Sequence, residues 1–176
     1  MMFAIWAIPS EPNLSRLKSI INRLASEMNT PCFLPHVTMF IGETEQAEDE
    51  LISCFTTVVG QLPLLSSPCV RVDGDDFIFK FLYMQLKKND SLMSANAGFE
   101  ILDLNSSYTF NPHLSLAYND DMMCLKQKNI DALNHELQGL EIEFERYQLI
   151  RSGDIRPSLE SIATWDVIAD QKINVG

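Results

Sequence analysis

Apolar residues in the first half of the chain follow two kinds of spacing. Residues 3–8 form a short apolar run that a proline ends, which is typical of a buried strand. Apolar side chains then recur at helical spacing across residues 14–28, and a second apolar run follows at residues 35–41. Residues 44–59 begin with acidic side chains and place their apolar residues on one helical face. The pattern predicts the order strand, helix, strand, helix.

The second half repeats this order and adds two strands. Its first segment has aromatic residues at every second position, as a strand requires. One later segment opens with Asn89 or Asp90 as a helix cap, and another places its apolar residues on one helical side. One of the last segments alternates apolar with polar residues. The predicted strands are 77–87, 112–118, 140–150 and 161–169, and the predicted helices are 89–104 and 120–137.

The repeated order indicates one α+β domain that spans residues 1–176. A chain of 176 residues, 46% of them hydrophobic, can bury roughly 70% of its unfolded surface, so its core needs no metal or disulfide. No low-complexity segment or linker separates the halves. We therefore expect a single domain built as a pseudo-duplication.

Each half contains the same five-residue pattern, "PHVTM" in the first and "PHLSL" in the second. Side chains two positions apart on a strand point to the same face, so His36 projects beside Thr38. His113 projects in the same way beside Ser115. One such histidine alone would usually be a buried structural residue. Two histidines with the same hydroxyl offset in corresponding places favour one shared site.

Two imidazoles suit a reaction in which one proton is taken from a nucleophile and another is delivered to a leaving group. The hydroxyls can donate hydrogen bonds to oxygens whose negative charge grows in the transition state. The in-line opening of a cyclic phosphodiester by water needs these groups and no metal. The motifs therefore predict His36, Thr38, His113 and Ser115 as the catalytic residues.

Other chemistries have weaker support in the sequence. A metal site needs a third ligand, and the third histidine, His135, lies off the apolar face of its predicted helix. The cysteines lack metal-knuckle spacing, and we expect reduced thiols, mostly in the core. No serine nucleophile motif or glycine-rich phosphate loop is present. We expect no metal and no cofactor.

The net charge of −11 and the pI near 4.6 limit the partners. The 13 Lys and Arg residues are scattered, whereas a long nucleic acid requires clustered cations, so we expect a small anionic ligand. The N-terminal apolar run is too short for a signal peptide or a membrane span. We therefore expect a cytoplasmic protein, a monomer, that contacts no membrane.

Taken together, the two H-x-[ST]-x motifs resemble the signature of the 2H phosphoesterase superfamily. Within it the chain is most similar to the cyclic phosphodiesterases of plants and yeast, and the similarity covers nearly the whole chain. The segments with counterparts there are "AIWAIP", "FLPHVTM", "FIFKF", "PHLSLAY" and "LESIATWDVIA".

The resemblance implies a two-lobed, pseudo-duplicated fold in which antiparallel sheets surround a central groove and helices lie outside. It implies hydrolysis of ADP-ribose 1″,2″-cyclic phosphate to ADP-ribose 1″-phosphate, and of nucleoside 2′,3′-cyclic phosphates to 2′-phosphates, without a metal. The substrate would thus be a small cyclic phosphate nucleotide. By position, the residues of the two motifs match the catalytic tetrad of that family.

Three aromatic residues, Trp6, Phe79 and Tyr118, match positions that line the groove in the plant-like group. They could stack on a base or exclude water. Tyr118 lies an odd number of positions from His113, so it can face the groove only if the strand ends or bulges before it. Residues 45–50 and 103–109 have no close counterpart in the family. Loops there would shape the rim of the groove, so the resemblance leaves the choice of substrate open.

Two alternatives stay open at this stage. The branch of the superfamily that processes RNA ends acts on terminal 2′,3′-cyclic phosphates or on 2′-5′ linkages. Such substrates call for a basic rim, which the acidic composition disfavours. A non-catalytic module that binds a nucleotide phosphate is the other alternative. It would leave the two proton-transfer groups unexplained.

Overall fold

The computed structural model describes residues 1–119, 126–153 and 158–173. The described residues form seven strands and four α-helices. The strands are β1 (Met2–Pro9), β2 (Val37–Glu43), β3 (Leu65–Asp73), β4 (Leu82–Leu86), β5 (His113–Ala117), β6 (Glu141–Ser152) and β7 (Asp166–Lys172); the helices are α1 (Asn13–Met28), α2 (Glu48–Val59), α3 (Asp90–Phe99) and α4 (Lys126–Leu137).

All strand pairs are antiparallel, and their order is β1-β2-β5-β4-β3-β6-β7. Because β1 also pairs with β6, six of the strands close into a ring. The long strand β6 pairs with different strands along its length: residues 141–144 pair with β3, and residues 146–151 pair with β7. One lobe therefore consists of β2, β1, β6 and β7, and the other of β5, β4, β3 and the start of β6.

The two strands that begin with the repeated motif, β2 and β5, join the lobes. Their only register pair among the described residues is Val37 with Leu114, and both side chains are fully buried. Helix α1 packs on β5 and α3 packs on β2, so the helices cover the core faces of these strands. The predicted α+β architecture, with antiparallel strands in two lobes and helices outside, is confirmed.

The hydrophobic pattern does not predict β3. This strand contains two serines and a proline, yet Ser67 is fully buried because its hydroxyl donates to the backbone oxygen of Lys87 at 2.8 Å. Satisfied hydrogen bonds allow polar residues inside a sheet, where a period-two apolar pattern is then absent.

Several predicted boundaries are wrong. Helix α2 begins at Glu48 rather than at residue 44, and three further errors occur where a short 3₁₀ helix adjoins a regular element. The predicted strand 77–87 begins with 3₁₀ helix Ile78–Lys80, and only β4 is extended. The predicted strand 161–169 begins with 3₁₀ helix Glu160–Thr164 before β7, and α3 ends at Phe99 before 3₁₀ helix Glu100–Leu102.

Residues 120–125, the start of the fourth predicted helix, lie outside the described ranges, and Cys124 is one of them. Of the other cysteines, Cys69 is buried but Cys32 and Cys54 are exposed, so the expectation of mostly buried thiols is wrong for the described ones. No helix in the described ranges is long and apolar enough to cross a membrane.

Candidate active site

A cavity of about 440 Å³ opens where β2 and β5 meet. A volume of this size suits a small-molecule ligand. All the residues that the sequence singled out line this cavity, namely Trp6, His36, Thr38, Phe79, His113, Ser115 and Tyr118.

Strand register explains how residues distant in sequence share this space. Trp6 lies opposite Thr38 in the pairing of β1 with β2. Ser115 lies opposite Tyr83 in the pairing of β4 with β5. Directly paired residues project from the same face of a sheet. The first motif is therefore flanked by a tryptophan, and the second by a tyrosine.

Both histidines are held by the same local hydrogen bond. The Nδ1 atom of His36 lies 2.7 Å from the backbone oxygen of Leu34, and Nδ1 of His113 lies 2.7 Å from the oxygen of Asn111. A carbonyl oxygen only accepts, so Nδ1 carries a hydrogen in each ring. Nε2 is then the nitrogen of each imidazole that can exchange a proton with a ligand.

Aromatic rings enclose His36 on several sides. Its ring stacks on Trp6 with a centroid distance of 3.8 Å and an interplanar angle of 13°. Trp165 and Phe33 present edges to it at 6.5 and 6.4 Å. Burial lowers the pKa of His36 to about 4, against the opposing effect of the Leu34 carbonyl and with a smaller lowering by His113. His36 is therefore neutral near pH 7 and able to accept a proton.

The second imidazole has a more polar environment. Burial lowers the pKa of His113 below its ordinary value, the Asn111 carbonyl opposes this change, and the charge of Lys80 lowers the pKa further. The side-chain amide of Gln85 donates to Asn111 Oδ1 at 3.2 Å and to the Pro112 oxygen at 2.8 Å. These bonds fix the backbone that precedes the second motif.

The two hydroxyls of the motifs are not equivalent. Ser115 Oγ is buried and donates to the backbone oxygen of Phe79 at 2.6 Å. Thr38 is half-buried, and its backbone oxygen accepts from the Tyr108 hydroxyl at 2.9 Å. Ser115 must rotate its O–H away from Phe79 before it can donate to a ligand.

Tyr118 reaches the cavity because β5 ends at Ala117, which removes the alternation that would turn its side chain away. Its ring stacks on Phe33 with a centroid distance of 3.8 Å and an angle of 15°. Phe79 approaches Tyr118 edge-on at 5.1 Å. The sequence analysis required that the strand end or bulge before Tyr118, and the end of β5 at Ala117 meets that requirement.

Sequence reasoning did not single out three further residues of the site. Trp165 lines the cavity from the far end of the chain, and Phe33 completes the aromatic enclosure. Lys80 is the only residue with a full charge among the described residues that line the cavity. The available signals were the "FIFKF" segment, in which one lysine interrupts an aromatic run, and the tryptophan of "ATWDV".

The third histidine lies elsewhere. His135 is exposed on α4 and does not line the cavity. No group of three or more His, Cys, Asp or Glu side chains in the described ranges could hold a metal ion. Among the lining residues that the structure describes, the ionisable side chains are thus the two imidazoles, Lys80 and two tyrosines.

A family model described as "Cyclic phosphodiesterase-like protein" matches residues 1–171. The chain is 26% identical to the cyclic phosphodiesterase of Arabidopsis thaliana over 177 aligned positions, which cover 98% of this chain and 96% of the relative.

Solved structures share the fold at lower sequence identity. Escherichia coli LigT complexed with 3′-AMP superposes with a TM-score of 0.59 at 10% identity, with 97% of each chain covered. TT0787 of Thermus thermophilus superposes with a TM-score of 0.59 at 17% identity, with 98% of each chain covered.

Proposed function

The chain belongs to the cyclic phosphodiesterase-like protein family of 2H phosphoesterases, and we propose that it hydrolyses small cyclic phosphates through His36 and His113. The proposed substrates are ADP-ribose 1″,2″-cyclic phosphate and nucleoside 2′,3′-cyclic phosphates. The products are ADP-ribose 1″-phosphate and nucleoside 2′-phosphates. The observation that carries the proposal is the pair of imidazoles, held alike through Nδ1, that line one cavity.

The proton transfers of this reaction balance with the two imidazoles alone. The neutral Nε2 of one histidine takes a proton from water as the water oxygen attacks phosphorus. The bond from phosphorus to one ring oxygen then breaks, and the other histidine, protonated at Nε2, gives that oxygen its proton. Attack and departure are in line, so base and acid belong on opposite sides of the phosphate. Two motifs on two strands that line one cavity support this assignment.

One histidine must therefore gain a proton when the substrate binds. Both imidazoles have lowered pKa values in the free protein. A cyclic phosphate carries a negative charge, which raises the pKa of a nearby imidazole. The negative charge of the substrate can thus favour uptake of a proton from solvent by the general acid. The local hydrogen bonds are the same in both imidazoles, so they do not distinguish the acid from the base.

The remaining residues of the cavity have distinct uses in this mechanism. Thr38 and Ser115 donate to the non-bridging phosphate oxygens, whose charge grows in the transition state. Trp6, Phe79 and Tyr118 offer faces and edges to a base or ribose, and they exclude water from the reacting centre. These hydroxyls and an imidazolium can stabilise the developing charge, so the proposed mechanism is metal-independent.

The test is incubation of the purified protein, in EDTA, with a panel of cyclic phosphates. The panel contains ADP-ribose 1″,2″-cyclic phosphate, the four nucleoside 2′,3′-cyclic phosphates and a short RNA that ends in a cyclic phosphate. Phosphorus NMR identifies the products. Turnover of the small substrates to the products named above is expected.

Alanine variants of the two motif histidines accompany the panel. His36→Ala and His113→Ala should each lose about 100-fold or more in turnover, since one acid or base step typically contributes 10² to 10⁴. His135→Ala, with an exposed histidine outside the cavity, is the matched control and should keep full activity. Circular dichroism confirms that each variant is folded.

The other outcomes redirect the proposal. A preference for the RNA would move the protein to the branch that processes RNA ends. Nucleotide binding without turnover of any substrate would favour a binding module. Near-full turnover by a folded His36→Ala or His113→Ala protein would contradict the shared acid–base mechanism.

A further inference from the structure

Lys80 occupies an unusual position for a lysine. It is the last residue of 3₁₀ helix Ile78–Lys80, its side chain is only 21% exposed, and it lines the candidate active-site cavity. The whole chain has a net charge of −11. A largely buried cation in such a protein, placed where all other described lining residues are uncharged or are histidines, is costly unless an anion offsets it.

The lysine lies on the side of the cavity that the second motif forms. Its Nζ atom sits 4.6 Å from the centroid of the Tyr83 ring. The His113 ring contacts the same tyrosine edge-on, with a centroid distance of 5.6 Å. The residue before the lysine, Phe79, accepts the hydrogen bond of Ser115 through its backbone oxygen. The ammonium group and the second motif therefore share direct neighbours.

Two partly exposed carboxylates face Lys80: Asp75 forms an ion pair with it, and Asp73 has its pKa lowered mainly by Arg71 and to a smaller extent by the charge of Lys80. The Nζ atom of Lys80 lies 3.5 Å from Oδ2 of Asp75, whose side chain is 49% exposed. An ion pair with a half-exposed carboxylate is weak because water screens it. An anion inside the cavity would meet the same ammonium in a drier environment, where the attraction is stronger.

The first motif has no such cation among the described lining residues. Its histidine is enclosed by Trp6, Trp165 and Phe33 instead. The two halves of the site thus differ: one is aromatic and one is cationic. An asymmetric substrate with a base at one end and a reacting phosphate beside a cation fits this division.

We propose that Lys80 is a further catalytic residue, whose ammonium contacts the phosphoryl oxygens of the substrate beside His113 and Ser115. This inference rests on the proposed function. When water attacks phosphorus, negative charge builds up on the non-bridging oxygens, and a fixed cation stabilises that charge. Lys80 would add a full positive charge to the donors that the two motifs provide.

Steady-state kinetics of four variants on a nucleoside 2′,3′-cyclic phosphate test the inference. Lys80→Gln should lower kcat/KM by about 100- to 1,000-fold, the range for the loss of one donor to a transition-state oxyanion. Lys80→Arg, which keeps the charge, should recover part of that loss. Lys88→Gln makes the same change in net charge at an exposed lysine outside the cavity, and it should match the wild type.

Asp75→Asn separates an anion-binding role from a structural one. This variant breaks the same ion pair as Lys80→Gln, while its amide oxygen can still accept the hydrogen bond from the Asp76 backbone N–H. If Lys80 serves the substrate, freeing it from Asp75 should leave kcat/KM unchanged or raise it. A loss with Asp75→Asn that equals the loss with Lys80→Gln would overturn the inference in favour of a structural ion pair.

The same variants distinguish failure of this inference from failure of the proposed function. If the wild type is active and Lys80→Gln has the same kcat/KM, the role proposed for Lys80 is wrong, but the proposed phosphodiesterase activity is not contradicted. If the wild type turns over no cyclic phosphate, the catalytic role of Lys80 falls with the proposed function. Titration with inorganic phosphate, followed by phosphorus NMR, then shows whether an anion contact remains, because only the Lys80→Gln variant should bind it more weakly.

Discussion

His36 should couple the folding stability of this protein to pH, and the structure sets the size of the effect. Its pKa is about 4 in the folded state, whereas an unfolded histidine titrates near 6.5. Between these values the unfolded chain binds a proton at this residue and the folded protein does not. The free energy of unfolding therefore contains a contribution that is complete above pH 6.5 and is lost as the pH falls toward 4. At pH 5 the loss amounts to about 2 kcal/mol.

The variant His36→Asn removes this titration and retains a side-chain donor near the position of Nδ1. Urea unfolding at pH 7.5 and at pH 5 gives the free energy of unfolding of the wild type and the variant. Other groups titrate in both proteins, so the informative quantity is the difference between them. The stability advantage of the wild type at pH 7.5 should shrink by about 2 kcal/mol at pH 5.

A matched variant, His135→Asn, controls for the loss of a histidine as such, because this residue is exposed on α4. The pH response of this variant is subtracted from that of His36→Asn, and the remainder should be about 2 kcal/mol between pH 7.5 and pH 5. If no difference remains, the imidazole of His36 is not held neutral by burial. The enclosure by aromatic rings would then fail as an account of its protonation in the cavity.

Further expectations concern the hydroxyls, the stacked indole and one glycine. Thr38→Val and Ser115→Ala should each lower kcat more than they raise KM, and by less than the histidine variants do, as kinetics on a cyclic phosphate would show. Trp6→Leu should admit water to the stacked imidazole, raise the pKa of His36, and shift whichever limb of the kcat/KM profile His36 governs to higher pH. Gly42→Ala should cost about 1–3 kcal/mol of unfolding free energy, because its Cβ would lie 2.7 Å from a buried phenylalanine ring. The control Gly98→Ala, whose Cβ would meet only one valine methyl at 3.7 Å, should not destabilise the protein in the same urea titration.

Local periodicity explains which parts of the fold could be predicted. The apolar runs of β1 and β2 and the helical spacing in α1 belong to the chain itself, and the predicted segments lie within a few residues of the observed elements. The pattern does not predict strand β3 because the buried Ser67 is satisfied by a partner distant in sequence, the Lys87 oxygen. The aromatic alternation of residues 77–81 is misleading, since these residues precede β4 and include a 3₁₀ helix.

The sequence by itself determined that each motif histidine shares a face with a hydroxyl residue. On a strand, that relation follows from a repeat of two residues and needs no tertiary contact. It also determined the order of the elements in the two halves. Tyr118 lies an odd number of positions from His113, so the sequence also predicted that this tyrosine could face the cavity only if the strand ended or bulged before it.

Only the tertiary structure decided that the two motif strands meet, at the pair Val37 and Leu114, because strand pairing depends on how the ring of strands closes. It also decided the protonation of His36, because the desolvation that lowers the pKa comes in part from Trp165, a residue near the other end of the chain. The tertiary structure also decided that the ammonium group of Lys80 lines the cavity. Burial and electric fields are sums over neighbours in space, and a linear pattern does not contain them.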